Sequence, residues 1–338
     1  MGTVSIGNLV LESGHVLEEA ELAYERSGDP SAPAILICHA LTGDQYAVGS
    51  AEHPGWWSGL AGPGRAIDTE KYQVISFNVL GGCNGSTGPL SLNPLTGKPY
   101  RSEFPLLTIK DMVNAEYQAL KTLGINKLKS VIGGSLGGMK ALEWGALYPD
   151  VTESIVPLAV TPAFSSYALA FNHIGIRAIE NDPDFHNGNY VGSPDFNGFH
   201  LARIVGMISY RSGKLFNDRF GRSESGTNFQ VETYLDYQGR KLAQRFDANS
   251  YLVLLKAMNS HDVGERKIDV PIFSVSYTHD LLYPAELMIP WLEEQPEARW
   301  EIVETDFGHD GFLVEFEKWN ELIRGFLQTK EQIEATRQ

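Results

Sequence analysis

Cysteine is scarce in this chain of 338 residues, which holds only 2, Cys38 and Cys83. Both fall in apolar, strand-like stretches, so each reads as a small buried hydrophobe rather than half of a disulfide. Long apolar runs are missing too. None approaches the ~20 residues that a membrane span requires, and the N-terminus lacks the charged-then-apolar pattern of an export signal. No CxxC or HExxH occurs and no group of residues has metal-ligand spacing, so no metal site is expected. Positive charge is in deficit: Lys and Arg number 27 against 42 Asp and Glu, a formal net charge of −15 with no basic block. That balance argues against nucleic acid and anionic membranes as partners and fits a cytoplasmic protein. It also sets a condition: an anionic substrate must be met by cations placed locally, because the overall field repels it.

What is present starts with Gly133-Gly134-Ser135-Leu136-Gly137. An apolar run, 128–132, precedes it, and Met139-Lys140-Ala141-Leu142-Glu143-Trp144 follows with helix-compatible residues. A serine in G-x-S-x-G between a strand and a helix is the nucleophile-elbow pattern of α/β-hydrolases. The expectation is that the flanking glycines tolerate dihedrals and contacts no side chain could, and that the serine hydroxyl stands clear at a helix N-terminus.

A serine nucleophile needs a base and an orienting acid, in the chain order Ser, Asp/Glu, His for this fold. Of the 9 histidines, only His309 lies beyond the last strand-like run, 300–304. Asp280 sits just past the penultimate one, 271–277, and is the expected acid. Asp306 is the weaker alternative, and Asp269 precedes the strand at the wrong edge. His39 comes before Ser135, which is the wrong order for a base, and reads as structural. The oxyanion donors are expected to be the amides of Leu136 and of Leu41, with Thr42 the near alternative, in the loop after the 34–39 strand. The Gly-rich stretch 78–89 lacks the Lys of a phosphate loop and reads as a tight loop beside the site.

Strand-like runs at 34–39, 72–80, 128–132, 154–160, 271–277 and 300–304 alternate with helix-like segments at 111–123, 139–148 and 311–328, after an antiparallel start at 16–26. The pattern predicts an α/β fold with a mostly parallel central sheet and helices on both faces. One gap, 161–264, runs for roughly a hundred residues, far too long for an ordinary crossover. It holds helix-like stretches at 166–179, 202–210 and 251–258 and a Gly/Asn/Asp/Pro-rich segment, 181–198. The division expected is an α/β-hydrolase core over 1–160 and 265–338, with an inserted helical lid over 161–264.

Several segments together resemble the homoserine O-acetyltransferases of the α/β-hydrolase superfamily. They are His39-Ala40-Leu41-Thr42-Gly43, Gly55-Trp56-Trp57, 78–89, 133–144, Ser209-Tyr210-Arg211-Ser212, Phe246-Asp247-Ala248-Asn249-Ser250-Tyr251, Asp280-Leu281-Leu282-Tyr283-Pro284 and Gly308-His309-Asp310. Many members carry Met where this chain has Leu136, an apolar exchange that keeps the amide. The resemblance implies ping-pong transfer from acetyl-CoA, a co-substrate rather than a bound cofactor, to L-homoserine through an acyl-Ser135, for methionine biosynthesis. It further implies Arg211 for the homoserine carboxylate, Asp310 for its α-ammonium, and a homodimer through the lid helices. Succinyl-CoA as donor, serine as acceptor, and plain ester hydrolysis by the same triad are the alternatives the residues leave open.

Overall fold

The computed structural model describes residues 2–335. Eight strands form the main sheet: β1 (Gly2–Val10), β2 (Val16–Ser27), β3 (Ala34–Cys38), β4 (Gln73–Phe77), β5 (Ser130–Gly134), β6 (Ile155–Leu158), β7 (Ile272–Tyr277) and β8 (Ala298–Val303). Their spatial order is β1-β2-β4-β3-β5-β6-β7-β8. β1 and β2 pair antiparallel, as do β2 and β4, and every later pairing is parallel.

Burial follows from this topology. Every residue of β3, β4, β5, β6 and β7 is buried, because helices cover both faces, and so these strands read as continuous apolar runs. Period-2 alternation still divides them between two cores. Leu36 and Cys38 of β3 face one cluster, and Ile35 and Ile37 face the other.

Helices α1 (Ile109–Thr122) and α2 (Leu136–Leu147) cover the first face. Thr108 starts α1 with a capping box, its hydroxyl accepting from the Asp111 N–H while the Asp111 carboxylate accepts from the Thr108 N–H. Between them lies a buried ion pair, Lys140 with Glu116, 0% and 1% exposed, and the Trp144 indole donates to the other Glu116 oxygen at 3.0 Å. Removing one partner strands a charge in the core. Lys140→Met is therefore expected to cost about 3–5 kcal/mol in urea unfolding, most of it regained in the Lys140→Met/Glu116→Leu double variant. A double variant no more stable than the single one would contradict this account of the pair.

Between β6 and β7 the chain makes α3 (Ser166–Glu180), α4 (Asn197–Tyr210), α5 (Gly213–Phe220), α6 (Gln230–Ala243) and α7 (Ala248–Asn259). The expected stretches at 166–179, 202–210 and 251–258 fall in α3, α4 and α7. Helices α5 and α6 were not foreseen, and neither was α8 (Ala285–Glu293), which carries Pro290 inside it. Among the described residues, no helix is long and apolar enough to cross a membrane.

One expected element differs. The helix read over 311–328 begins only at Asn320, as α9 (Asn320–Ala335). Before it come two 3₁₀ turns, Gly308–Leu313 and Phe316–Lys318. The Phe312 carbonyl accepts from the Trp57 indole at 2.9 Å instead of a helical N–H, and Glu315 adopts a left-handed backbone (φ 48°). Both stop an α-helix from propagating through this segment.

Candidate active site

Ser135, Asp280 and His309 follow the C-terminal ends of β5, β7 and β8, three parallel strands of one sheet. Loops at that edge hold the ligand sites of open α/β sheets. Ser135 has φ 58° and ψ −122°, a strained conformation for a residue with a side chain. This corrects the expected dihedrals of the glycines and bears out their expected contacts. The serine itself carries the unusual dihedrals, while Gly133 and Gly137 are required by close approach: a Cβ on Gly133 would sit 2.4 Å from the Gly137 carbonyl oxygen, and one on Gly137 would sit 2.1 Å from that of Cys38. Helix α2 starts at the next residue, so the Leu136 amide is among its first N–H groups, which have no partner within the helix.

The His309 Nδ1 hydrogen bonds to Asp280 Oδ2 at 2.8 Å, with the two side chains 4% and 0% exposed. Asp280 Oδ1 accepts from the Leu282 and Tyr283 amides, both at 2.9 Å. The carboxylate is thus fixed on both oxygens, and it presents an acceptor to Nδ1. An Nδ1–H that donates there leaves Nε2 as the basic nitrogen. Tyr283 stacks on the imidazole (centroids 4.9 Å apart, planes at 29°), while Tyr210 lies at 5.8 Å and Phe312 edge-on at 5.5 Å. Asp306, the alternative acid, is instead half-exposed and pairs with Lys214 at 2.7 Å, and that hydrogen bond holds its carboxyl below the ordinary range.

Leu41 lies in the turn closed by the Gly43 N–H donating to the Ala40 carbonyl at 2.9 Å. His39 anchors this turn: its Nδ1 lies 2.7 Å from the Ala40 carbonyl, and its Nε2 accepts from the Val79 N–H at 2.9 Å. Burial pushes its pKa down to about 3. His39 is therefore a neutral, satisfied histidine joining the 39–43 turn to the 78–89 loop, as expected of a structural group.

A cavity of about 360 Å³ brings together Ser135, His309, Leu41, Arg211 and Asp310. Arg211 and Asp310 do not stand apart as two separate subsites. The Arg211 Nε donates to Asp310 Oδ2 at 3.0 Å, and its Nη1 donates to the Tyr234 hydroxyl at 2.6 Å. Two further cations that the sequence reading missed, Arg203 and Arg245, line the same cavity, so it is locally basic in an acidic protein. Arg245 donates to the Thr42 carbonyl at 2.8 Å. Arg203 stacks over the Tyr210 ring at 5.8 Å, and its Nε is buried with no hydrogen-bond partner. The i, i+7 spacing of Arg203 and Tyr210 on α4 was the available signal, since it puts both on one helix face. Among the described residues, no group of three or more His, Cys, Asp or Glu is placed to hold a metal ion.

Strand order, elbow and triad-like constellation together define an α/β-hydrolase, and the family model described as alpha/beta hydrolase fold matches residues 33–316. A homoserine O-acetyltransferase of Symbiobacterium thermophilum is 46% identical, over 96% of this chain and 92% of its own length. The chain belongs to the homoserine O-acetyltransferase family. Among solved structures, the homoserine O-acetyltransferase of Bacillus anthracis superposes with a TM-score of 0.90 at 26% identity, covering 96% of both chains. Esterase E22 superposes with a TM-score of 0.89, also at 26% identity, covering 96% of this chain and 98% of its own.

Proposed function

We propose that this chain transfers the acetyl group of acetyl-CoA to the γ-hydroxyl of L-homoserine through an acyl-Ser135 intermediate, a reaction that serves methionine biosynthesis. The observation that carries the reading is the cavity itself, where Ser135 and a buried, Asp280-bound His309 sit with an anionic and several cationic side chains. That mixture suits a zwitterionic acceptor and an anionic donor.

His309 Nε2 takes the Ser135 proton as Oγ bonds to the thioester carbon, and the carbonyl electron pair moves onto oxygen. The Leu41 and Leu136 amides stabilise that oxyanion. Collapse breaks the C–S bond, and His309 returns the proton to the departing thiolate. Homoserine then repeats the sequence: its γ-hydroxyl gives its proton to His309 as its oxygen bonds to the acyl carbon, the bond from that carbon to Ser135 Oγ breaks, and His309 returns the proton to Oγ. Asp280 holds the imidazole tautomer and stabilises the imidazolium.

For the acceptor, Asp310 takes the α-ammonium. Arg211 takes the carboxylate: its Nε and Nη1 are held by Asp310 and the Tyr234 hydroxyl, which orients the guanidinium at the cavity wall beside the ammonium site. A guanidinium fork fits a carboxylate and a lysine ammonium does not, so Arg211→Lys should lower kcat/KM for homoserine by about 10- to 150-fold, with acyl-enzyme formation unchanged. The check is 3-amino-1-propanol, which keeps the ammonium and hydroxyl but lacks the carboxylate. Arg211→Lys should lose the preference for homoserine over this analogue, and Arg203→Lys should keep it. The reverse pattern would give the carboxylate to Arg203.

The exposed apolar residues Tyr167 and Ile174 of α3 and Leu201 and Ile208 of α4 repeat at i, i+7 and support association of two copies through these helices. The likeness to esterase E22 supports hydrolysis as the second reading. Thiol release from acetyl-CoA separates the two. Transfer requires that release beyond the first equivalent depend on added homoserine, with O-acetylhomoserine as product, and hydrolysis gives continuous release and acetate without it.

A further inference from the structure

Tyr283 is fully buried at 0% exposure and meets each of the three residues by a different part of itself. Its N–H donates to Asp280 Oδ1 at 2.9 Å, and its ring stacks on the His309 imidazole. Its hydroxyl lies beside the Ser135 side chain, yet it has no partner in hydrogen-bond geometry. A buried phenol O–H with nothing to donate to is costly, and such orphans call for an explanation. The backbone contact with Asp280 needs no particular side chain, and a phenylalanine would stack on His309 equally well. Neither contact accounts for the hydroxyl.

We propose that the Tyr283 hydroxyl is a hydrogen-bond donor to Ser135 Oγ, made when that oxygen gains negative charge as the acyl group arrives and again as it leaves. The inference rests on Ser135 being the nucleophile. When His309 removes the serine proton, charge develops on Oγ in a site walled by Tyr210, Tyr283 and Phe312, where a neutral donor counts for more than in water. The phenol does not transfer its own proton. Burial pushes its pKa well above the ordinary value, so it stays protonated and keeps an O–H to donate. During the second half-reaction, Oγ recovers its electron pair as the ester bond to the acyl carbon breaks, and the same donor stabilises it as a leaving group.

Tyr283→Phe isolates the hydroxyl, since the ring and the backbone N–H both remain. Acylation and deacylation rate constants should each fall about 10- to 100-fold, the scale of one hydrogen bond to a charged oxygen. The fall in acylation should be the same with acetyl-CoA and with p-nitrophenyl acetate, because the donor serves Oγ and not the leaving group. KM for homoserine and the pH at which the base titrates should stay put, and the thermal midpoint should hold or rise, because the variant loses an unpaired polar group. Unchanged rate constants, or a loss confined to acetyl-CoA, would overturn the proposal. So would a loss that follows a lowered midpoint. Wild-type protein that acquires no acyl group on Ser135 would instead remove the nucleophile assignment on which the inference stands.

Discussion

Ser135→Ala should abolish acyl transfer, by on the order of 10⁶-fold as for nucleophile removal in other serine enzymes, and leave the fold and its thermal midpoint nearly unchanged. The elbow explains the contrast. Its shape comes from the close approach of Gly133 to Gly137 and of Gly137 to the Cys38 carbonyl, and from the Ser135 N–H donating to Leu158 at 3.0 Å. An alanine keeps all of these and loses only the hydroxyl. Its strained φ persists, held by the same surroundings. Transfer at a near-normal rate in the variant would mean that another group carries the acyl chain.

Asp280→Asn should slow turnover by roughly 10⁴-fold while acetyl-CoA binding is little affected. Asparagine can still accept from the Leu282 and Tyr283 amides through its carbonyl oxygen. Its amide nitrogen then faces the His309 Nδ1 and donates to it, which moves the imidazole proton to Nε2 and leaves no base for the serine. The matched control is Asp306→Asn, which breaks an exposed pair with Lys214 that solvent screens. Its activity should stay close to wild type. If Asp306→Asn proves crippling and Asp280→Asn mild, the acid is the wrong one of the two.

The parallel strands were legible in the sequence because helices bury both of their faces, which turns Ala34–Cys38 or Ile272–Tyr277 into unbroken apolar runs. The first strand, Gly2–Val10, was not, because it buries only Val4, Ile6 and Leu9, and register shifts around Gly7 break the period-2 alternation. Helix α5 spans only Gly213–Phe220, too short for its apolar spacing to stand out, and Pro290 hides α8. Ser135, Asp280 and His309 could be placed from chain order and strand ends alone, because each sits in a loop defined by local sequence. Pairings across the chain could not. Arg211 and Asp310 are 99 positions apart, and nothing in either segment says that they bind each other. The orphaned Arg203 Nε and Tyr283 hydroxyl are likewise products of packing, visible only when α4 and the loop after β7 are brought to the same sheet edge.

Transfer through Ser135 requires one covalent species, and rapid-quench mass spectrometry of the protein mixed with acetyl-CoA alone detects it. The predicted result is a single acetyl group per chain, formed with one equivalent of released thiol, mapped to the peptide containing Ser135 and discharged as O-acetylhomoserine when L-homoserine is added. Thiol release only in the presence of homoserine, with no acetylated protein at any time, would indicate direct transfer in a ternary complex and contradict the acyl-serine reading.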